Sequence, residues 1–326
     1  MPLCLLSQSA SNLPGRNGSL DRSVRSVVLH SARRPRGLAP RCALNGGGSD
    51  LWEARKVLVL PGYLIDSQEM VPLVESLRRR GFNAALPPVR WHNWVPTVGG
   101  RSLRPILDRI NFVLDEFARG AEVGPENGYE IPLPEDANLY DRLAEFRDPS
   151  MGNMPPLPAP ERGEYTEKVA ILASSASGWI TRIMLGSGPE YCGRVYHGSD
   201  RVDRLVTLGA PHFCNGKGVS RKNLDFVNTH YPGAHHPHIR YACVAGKAKK
   251  GEKALIPDFT YQSYELCAES GDVWGDGVIP VESALNLDGA ETLLLEDVWH
   301  LPGDAKDGRV WYGSEEVIDS WVKYLE

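Results

Sequence analysis

A serine among small residues, an aspartate between two glycines and a histidine late in the chain have the types and order for nucleophilic chemistry. Residues 167–186, EKVAILASSASGWITRIMLG, read as a strand, an abrupt turn and a helix. Lys168 to Ala173 is a β-branched and aliphatic run suited to a buried parallel strand, and from Gly178 onward Ile180, Ile183 and Met184 follow the helical period. The joint, Ala173-Ser174-Ser175-Ala176-Ser177-Gly178, is a relaxed form of the G-x-S-x-G turn that lifts a serine above a strand end. Such a turn needs small residues two places before and after the nucleophile, because strand and helix backbones nearly touch there. Ser174 has Leu172 and Ala176 at those places, and Ser177 has Ser175 and Trp179. Ser175, between Ala173 and Ser177, has small residues on both sides. The same residues also fit a plain serine-rich turn or a helix N-cap.

A serine hydroxyl is a weak nucleophile, so it needs a base and an acid that orients the base. Of nine histidines, His300 is the one that follows the last strand pattern, in Glu296-Asp297-Val298-Trp299-His300. The acid belongs in the preceding loop, where Asp258, Glu265, Glu269, Asp272 and Asp276 are available. Asp276 stands between Gly275 and Gly277, which permit a tight turn, and just before Pro280, which can start a short helix. Asp272 is its chief rival. Charge that develops on an acyl oxygen needs two backbone N–H donors. Ala176, after the nucleophile, supplies one, and the loop Pro61-Gly62-Tyr63 supplies the other, through Tyr63 or alternatively Leu64. This chemistry requires no metal and no organic cofactor. His230, His235, His236 and His238 match no common zinc spacing, and no cysteine or acidic cluster accompanies them.

These residues must be carried by a regular scaffold. Strand patterns at Lys56–Leu60, Phe82–Leu86, Lys168–Ala173, Arg204–Leu208, Ile239–Ala245 and Thr292–Leu295 alternate with helical ones. The helices include one capped by Ser67 and running through Arg80, one from Ser102 to about Ala118, and one from Ser314 to Leu325. The alternation predicts an α/β fold: a mostly parallel central sheet with helices on both faces and sites at the C-terminal ends of its strands. Residues 119–164 interrupt it with a polar, Pro-rich insertion long enough to act as a lid, or to be a surface insertion without a role.

Residues 1–43 carry seven arginines, no lysine and the single acid Asp21 among many serines. That composition predicts a plastid transit peptide ending near Arg41-Cys42-Ala43, with residues 44–326 as one domain in the chloroplast. The remainder holds 29 basic and 40 acidic residues, a balance that argues against a general nucleic-acid partner. No window of about 18 apolar residues marks a transmembrane segment. Cys192, Cys214, Cys243 and Cys267 read as isolated thiols. Trp91, Trp94, Trp179, Trp274 and Trp299 could form an apolar mouth for an acyl chain or pack the core below it, and Lys247, Lys249, Lys250 and Lys253 could touch anionic headgroups or simply be solvated.

Leu60-Pro61-Gly62-Tyr63, Ser174-Ser175-Ala176-Ser177-Gly178-Trp179, Val206-Thr207-Leu208-Gly209-Ala210-Pro211-His212, Gly275-Asp276-Gly277-Val278-Ile279-Pro280 and Trp299-His300 together resemble the α/β-hydrolases. The likeness is to their lipase-like and GPI inositol-deacylase-like branch, in that family's order over most of residues 52–326. Ala173, Ser174 and Ser177 depart from the G-H-S-x-G-G usual at the turn. The resemblance implies a carboxylic ester hydrolase acting on a small-molecule or acyl-lipid ester, in the plastid stroma or peripheral to a plastid membrane. The GPI substrate does not carry over, because a plastid-directed chain would not meet it. Two alternatives stand beside this: a hydrolase-fold protein that binds a lipid or partner without catalysis, and an acyltransferase using the same acyl-enzyme.

Overall fold

Short runs such as Val57-Leu58-Val59-Leu60 are apolar at every position because both faces of the strand are covered. The computed structural model describes residues 54–124, 165, 167–214, 221–253, 258–303 and 308–326. Residues 1–43, where a transit peptide is expected, and residues 125–164 of the insertion, with the lid expected there, fall outside the described residues. The elements in chain order are β1 (Lys56–Leu60), α1 (Val71–Arg79), β2 (Asn83–Ala85), α2 (Arg104–Ala118), β3 (Val169–Ser174) and α3 (Ser177–Leu185). There follow β4 (Val202–Leu208), α4 (Arg221–His230), β5 (Arg240–Lys247), β6 (Lys249–Lys250), α5 (Phe259–Cys267) and β7 (Trp274–Gly275). The chain closes with α6 (Val281–Ala284), β8 (Glu291–Glu296), β9 (Val298–Trp299), β10 (Val310–Trp311) and α7 (Glu315–Trp321).

Six strands form one parallel sheet in the order β2-β1-β3-β4-β5-β8. Alternate residues serve opposite cores. Leu58, Leu60, Ile171, Ala173, Leu205 and Cys243 pack with apolar residues of α2, α3 and α4. Val57, Val59, Leu172, Val206 and Val244 pack with those of α1 and α7. Each such Val or Leu contributes about 1.5–3 kcal/mol by leaving water. This is the α/β architecture that the alternation predicted, a parallel central sheet with helices on both faces. Strand order reverses at β1, which has β2 on one side and β3 on the other, and in open parallel sheets ligands bind beyond the C-terminal strand ends at such a switch point. Leu60 pairs with Ala173, Ser174 with Leu208 and Gly246 with Leu295, so the segments that leave these strands share one edge.

Some local expectations are corrected. Ser67 is not the cap of the first helix: Asp66 accepts from the Gln68 amide at 3.0 Å, and the Ser67 hydroxyl donates to the Pro87 carbonyl at 2.6 Å. Its neighbour wins because a carboxylate is the stronger acceptor. Helices α4 and α5 lack the apolar stripe that would announce them, with Leu224 and Val227 buried in one and Tyr261 and Tyr264 in the other. The parallel pair β9–β10 follows what looked like the last strand. Among the described residues no helix is long and apolar enough to cross a membrane.

Candidate active site

At the end of β3 the backbone swings into the left-handed region, with φ of +54° at Ser175. A residue with a Cβ holds that conformation at a cost of about 1–3 kcal/mol, so its surroundings must enforce it. The Ser175 amide donates to the Leu208 carbonyl at 2.9 Å, and the Ser175 carbonyl accepts from the Gly178 amide at 3.0 Å. Two glycines let neighbouring backbones close in. A Cβ on Gly178 would stand 2.4 Å from the Ala210 Cβ, and one on Gly62 would stand 3.1 Å from the Ser175 Cβ and 3.7 Å from its Oγ. Ser177, fully buried, donates its hydroxyl to the Pro61 carbonyl and ties the start of α3 to the exit of β1.

Three side chains from separate segments meet here. The Ser175 Oγ lies 3.0 Å from His300 Nε2, and His300 Nδ1 lies 2.7 Å from Asp276 Oδ2. Asp276 and His300 are 1% and 3% exposed, while the serine is half-buried at the surface end of the line. Asp276 sits in a tight turn closed by the bridge between Gly275 and Pro280, with Gly277 at φ +97°. Its Oδ1 accepts from the amides of Val278 at 3.0 Å and Ile279 at 2.7 Å. Its main-chain carbonyl accepts from the His300 amide at 3.0 Å, so the turn holds the histidine by backbone as well as side chain. The Tyr264 hydroxyl accepts from the Gly277 amide at 2.8 Å and donates to the Lys249 carbonyl at 3.0 Å, which anchors the turn from behind.

The two residues expected as oxyanion donors flank Ser175, Ala176 in sequence and Tyr63 beyond Gly62, which abuts the serine. Ala176 precedes α3, where the first amides lack helical partners. The Gly62–Tyr63 peptide runs beside the serine because Gly62 abuts it, and the Tyr63 ring packs edge-on against Trp94 at 5.2 Å. Leu64, the alternative, has φ of +62° and a side chain 44% exposed.

The rivals lie elsewhere. Asp272 pairs with Lys250 at 2.8 Å on the surface. His212, 2% exposed, sits with Nε2 3.3 Å from the Thr207 hydroxyl and 3.4 Å from the Cys243 thiol, and burial pushes its pKa down to about 3. The four clustered histidines pack against the rings of Phe226 and Tyr231 and one another, and burial takes His236 down to about 4. Among the described residues no group of three His, Cys, Asp or Glu is arranged to hold a metal ion. The lysine loop is largely neutralised: Lys247 pairs with Glu296, Lys249 with Asp258 and Lys250 with Asp272. The tryptophans divide between the two roles considered for them. Trp94 and Trp179 belong to the core, whereas Trp91 and Trp274 are 59% and 47% exposed.

No family model matches the chain, and no curated protein matches it in sequence. Among solved structures, the lipase BlEst2 of Bacillus licheniformis aligns with a TM-score of 0.45 at 12% identity, over 83% of this chain and 92% of that one. An acetyl ester-xyloside bifunctional hydrolase from Caldicellulosiruptor lactoaceticus aligns at 0.41 with 12% identity, over 83% and 84%. Aspergillus fumigatus lipase B aligns at 0.34 with 8% identity, over 74% and 44%. Identities this low carry no information about substrate.

Proposed function

We propose that this chain hydrolyses carboxylic esters of acyl lipids through an acyl-enzyme on Ser175. The observation that carries the proposal is the unbroken line from Ser175 Oγ through His300 to Asp276, at 3.0 and 2.7 Å. His300 Nε2 takes the hydroxyl proton as Oγ bonds to the ester carbon, while Asp276 fixes the tautomer and stabilises the imidazolium. The amides of Ala176 and Tyr63 receive the negative oxygen. The C–O bond to the alcohol breaks, the alcohol leaves with the proton from His300, and an acyl group remains on Ser175. A water molecule then gives His300 a proton and attacks the acyl carbon, releasing the acid and restoring the serine.

Support for a lipid comes from the rim. Leu64, Trp91, Val95, Val98, Trp274 and Leu301 are exposed large apolar side chains. Each belongs to a segment that leaves the C-terminal end of a sheet strand, the edge that holds Ser175. Exposed apolar side chains on that edge suit acyl chains or peripheral contact with a bilayer. The likeness to GPI inositol-deacylase-like proteins rests on sequence motifs, and the composition of residues 1–43 supports delivery to a plastid, where acyl-lipid esters of the membrane are the substrate class at hand. Fusing residues 1–43 to a fluorescent protein tests that address.

The central experiment is labelling residues 44–326 with a fluorophosphonate and mapping the adduct by mass spectrometry. The expected adduct is on Ser175, absent in His300→Ala, together with turnover of esters that rises with acyl-chain length. Folded protein that takes no label at Ser175 would overturn the reading.

A further inference from the structure

We propose that Tyr312 is a positioning residue of this relay, its phenol holding the same Asp276 oxygen that receives His300. The inference rests on the triad reading above. The parallel pairing of β9 and β10 sets Val298 beside Val310 and Trp299 beside Trp311, which brings the next two residues, His300 and Tyr312, level with each other. Tyr312 is 1% exposed, and its carbonyl accepts from the Trp321 indole at 2.9 Å, which fixes its backbone to α7. Its hydroxyl lies 2.7 Å from Asp276 Oδ2 and 2.7 Å from the Gly246 amide nitrogen.

Direction follows from valence. The amide of Gly246 can only donate, so the phenol accepts there and its single proton goes to the carboxylate. Burial, reinforced by the Asp276 charge, raises the phenol pKa well above its ordinary value, so the donor persists. The space is cut to fit: a Cβ on Gly209, at φ +56°, would fall 2.5 Å from Asp276 Oδ2, 2.9 Å from the Tyr312 hydroxyl and 3.0 Å from His300 Nδ1. The Asp276 carboxylate thus has four donors, two main-chain amides on Oδ1 and the His300 and Tyr312 side chains on Oδ2. Other groups facing it are Tyr264 and Cys267 of α5. Tyr264 gives its proton to Lys249, and burial takes the Cys267 thiol up to about 12, so neither competes for Oδ2 or changes charge near neutrality.

Removing the phenol proton leaves Oδ2 with the imidazole as its one side-chain donor. The carboxylate is then freer to turn and concentrates more charge on His300. Tyr312→Phe is therefore expected to lower kcat about ten- to hundredfold, the weight of one hydrogen bond to a charged group. KM should hold, while the acid limb of the kcat/KM profile moves to higher pH because the protonated imidazole is held more strongly. The assay is hydrolysis of a nitrophenyl ester over the acid and neutral range, run beside fluorophosphonate labelling of the unsubstituted protein and Tyr312→Phe. Labelling of the unsubstituted protein at Ser175, with Tyr312→Phe matching it in kcat and acid limb, would overturn the role of Tyr312 and leave the triad standing. Failure of the unsubstituted protein to label would remove the triad and this inference with it. If Tyr312→Phe does not fold, 3-fluorotyrosine at position 312 keeps the shape with a more acidic donor. It should move the acid limb to lower pH, and an unmoved limb would equally overturn the proposal.

Discussion

The two ends of the proposed relay are built on different principles. At the nucleophile end, Ser175 is held in place by its backbone: a positive φ, a strand exit pressed against it at Gly62, and a helix start pressed against β4 at Gly178. Its hydroxyl meets one side chain, His300, and faces outward. At the acid end, Asp276 is held by its side chain, through four donors in a nearly sealed position. The difference is instructive. A reacting atom must stay free to bond with substrate, so its position is imposed through the main chain, whereas a buried charge that does not react must have its oxygens occupied.

Substitutions should separate the two designs. Ser175→Ala is expected to lower kcat by on the order of 10⁶ while changing the melting temperature little, since a single part-buried contact, to His300 Nε2, is lost. Asp276→Ala should lower kcat by about 10⁴ and also lower stability, because the amides of Val278 and Ile279 and the Tyr312 hydroxyl each lose an acceptor at about 1–3 kcal/mol apiece. Equal melting temperatures for these two variants would break the comparison. Gly62→Ala places a methyl 3.1 Å from the Ser175 Cβ. A displacement approaching 1 Å there costs about 10²-fold in rate, so kcat should fall by up to that factor with little loss of stability. Gly178→Ala meets the Ala210 Cβ at 2.4 Å and should cost about 1–3 kcal/mol, read as a fall in melting temperature.

The mildest test concerns pH. His212 lies beneath the nucleophile turn, beside Thr207, which itself abuts Gly178. The unfolded chain gains a proton on this residue as pH falls through 6.5, and the folded chain refuses it until about 3. Stability should therefore decline across that window, with His212→Asn flattening the slope by up to one proton. Denaturant titrations at several pH values measure it, and an unchanged slope would count against a neutral buried His212.

Much of this was legible in the residues because it depends on local rules. Ser175 is marked by the small residues around it, and the structure supplies the reason in the Gly62 and Gly178 contacts. Asp276 is marked by its flanking glycines, one of which takes φ +97°. His300 is marked by chain order. Tyr312 carried no such mark: its place comes from the register of two strands of two residues each, too short for any periodicity. Helix α4 escaped notice for a related reason, since Leu224 and Val227 are too few to draw a stripe. The cap at Asp66 was missed because a serine stood next to it, and the tryptophans could not be sorted before their burial was known.

The order in which the parts appear along the chain has a temporal meaning. The nucleophile turn, its helix and strands β1 to β4 are complete by Leu208, yet the base arrives 125 residues after Ser175, on the far side of β8. During synthesis, a chain that has delivered the serine but not yet the last strands carries an inert alcohol. The line from Ser175 through His300 to Asp276 is complete only once the final segment has docked.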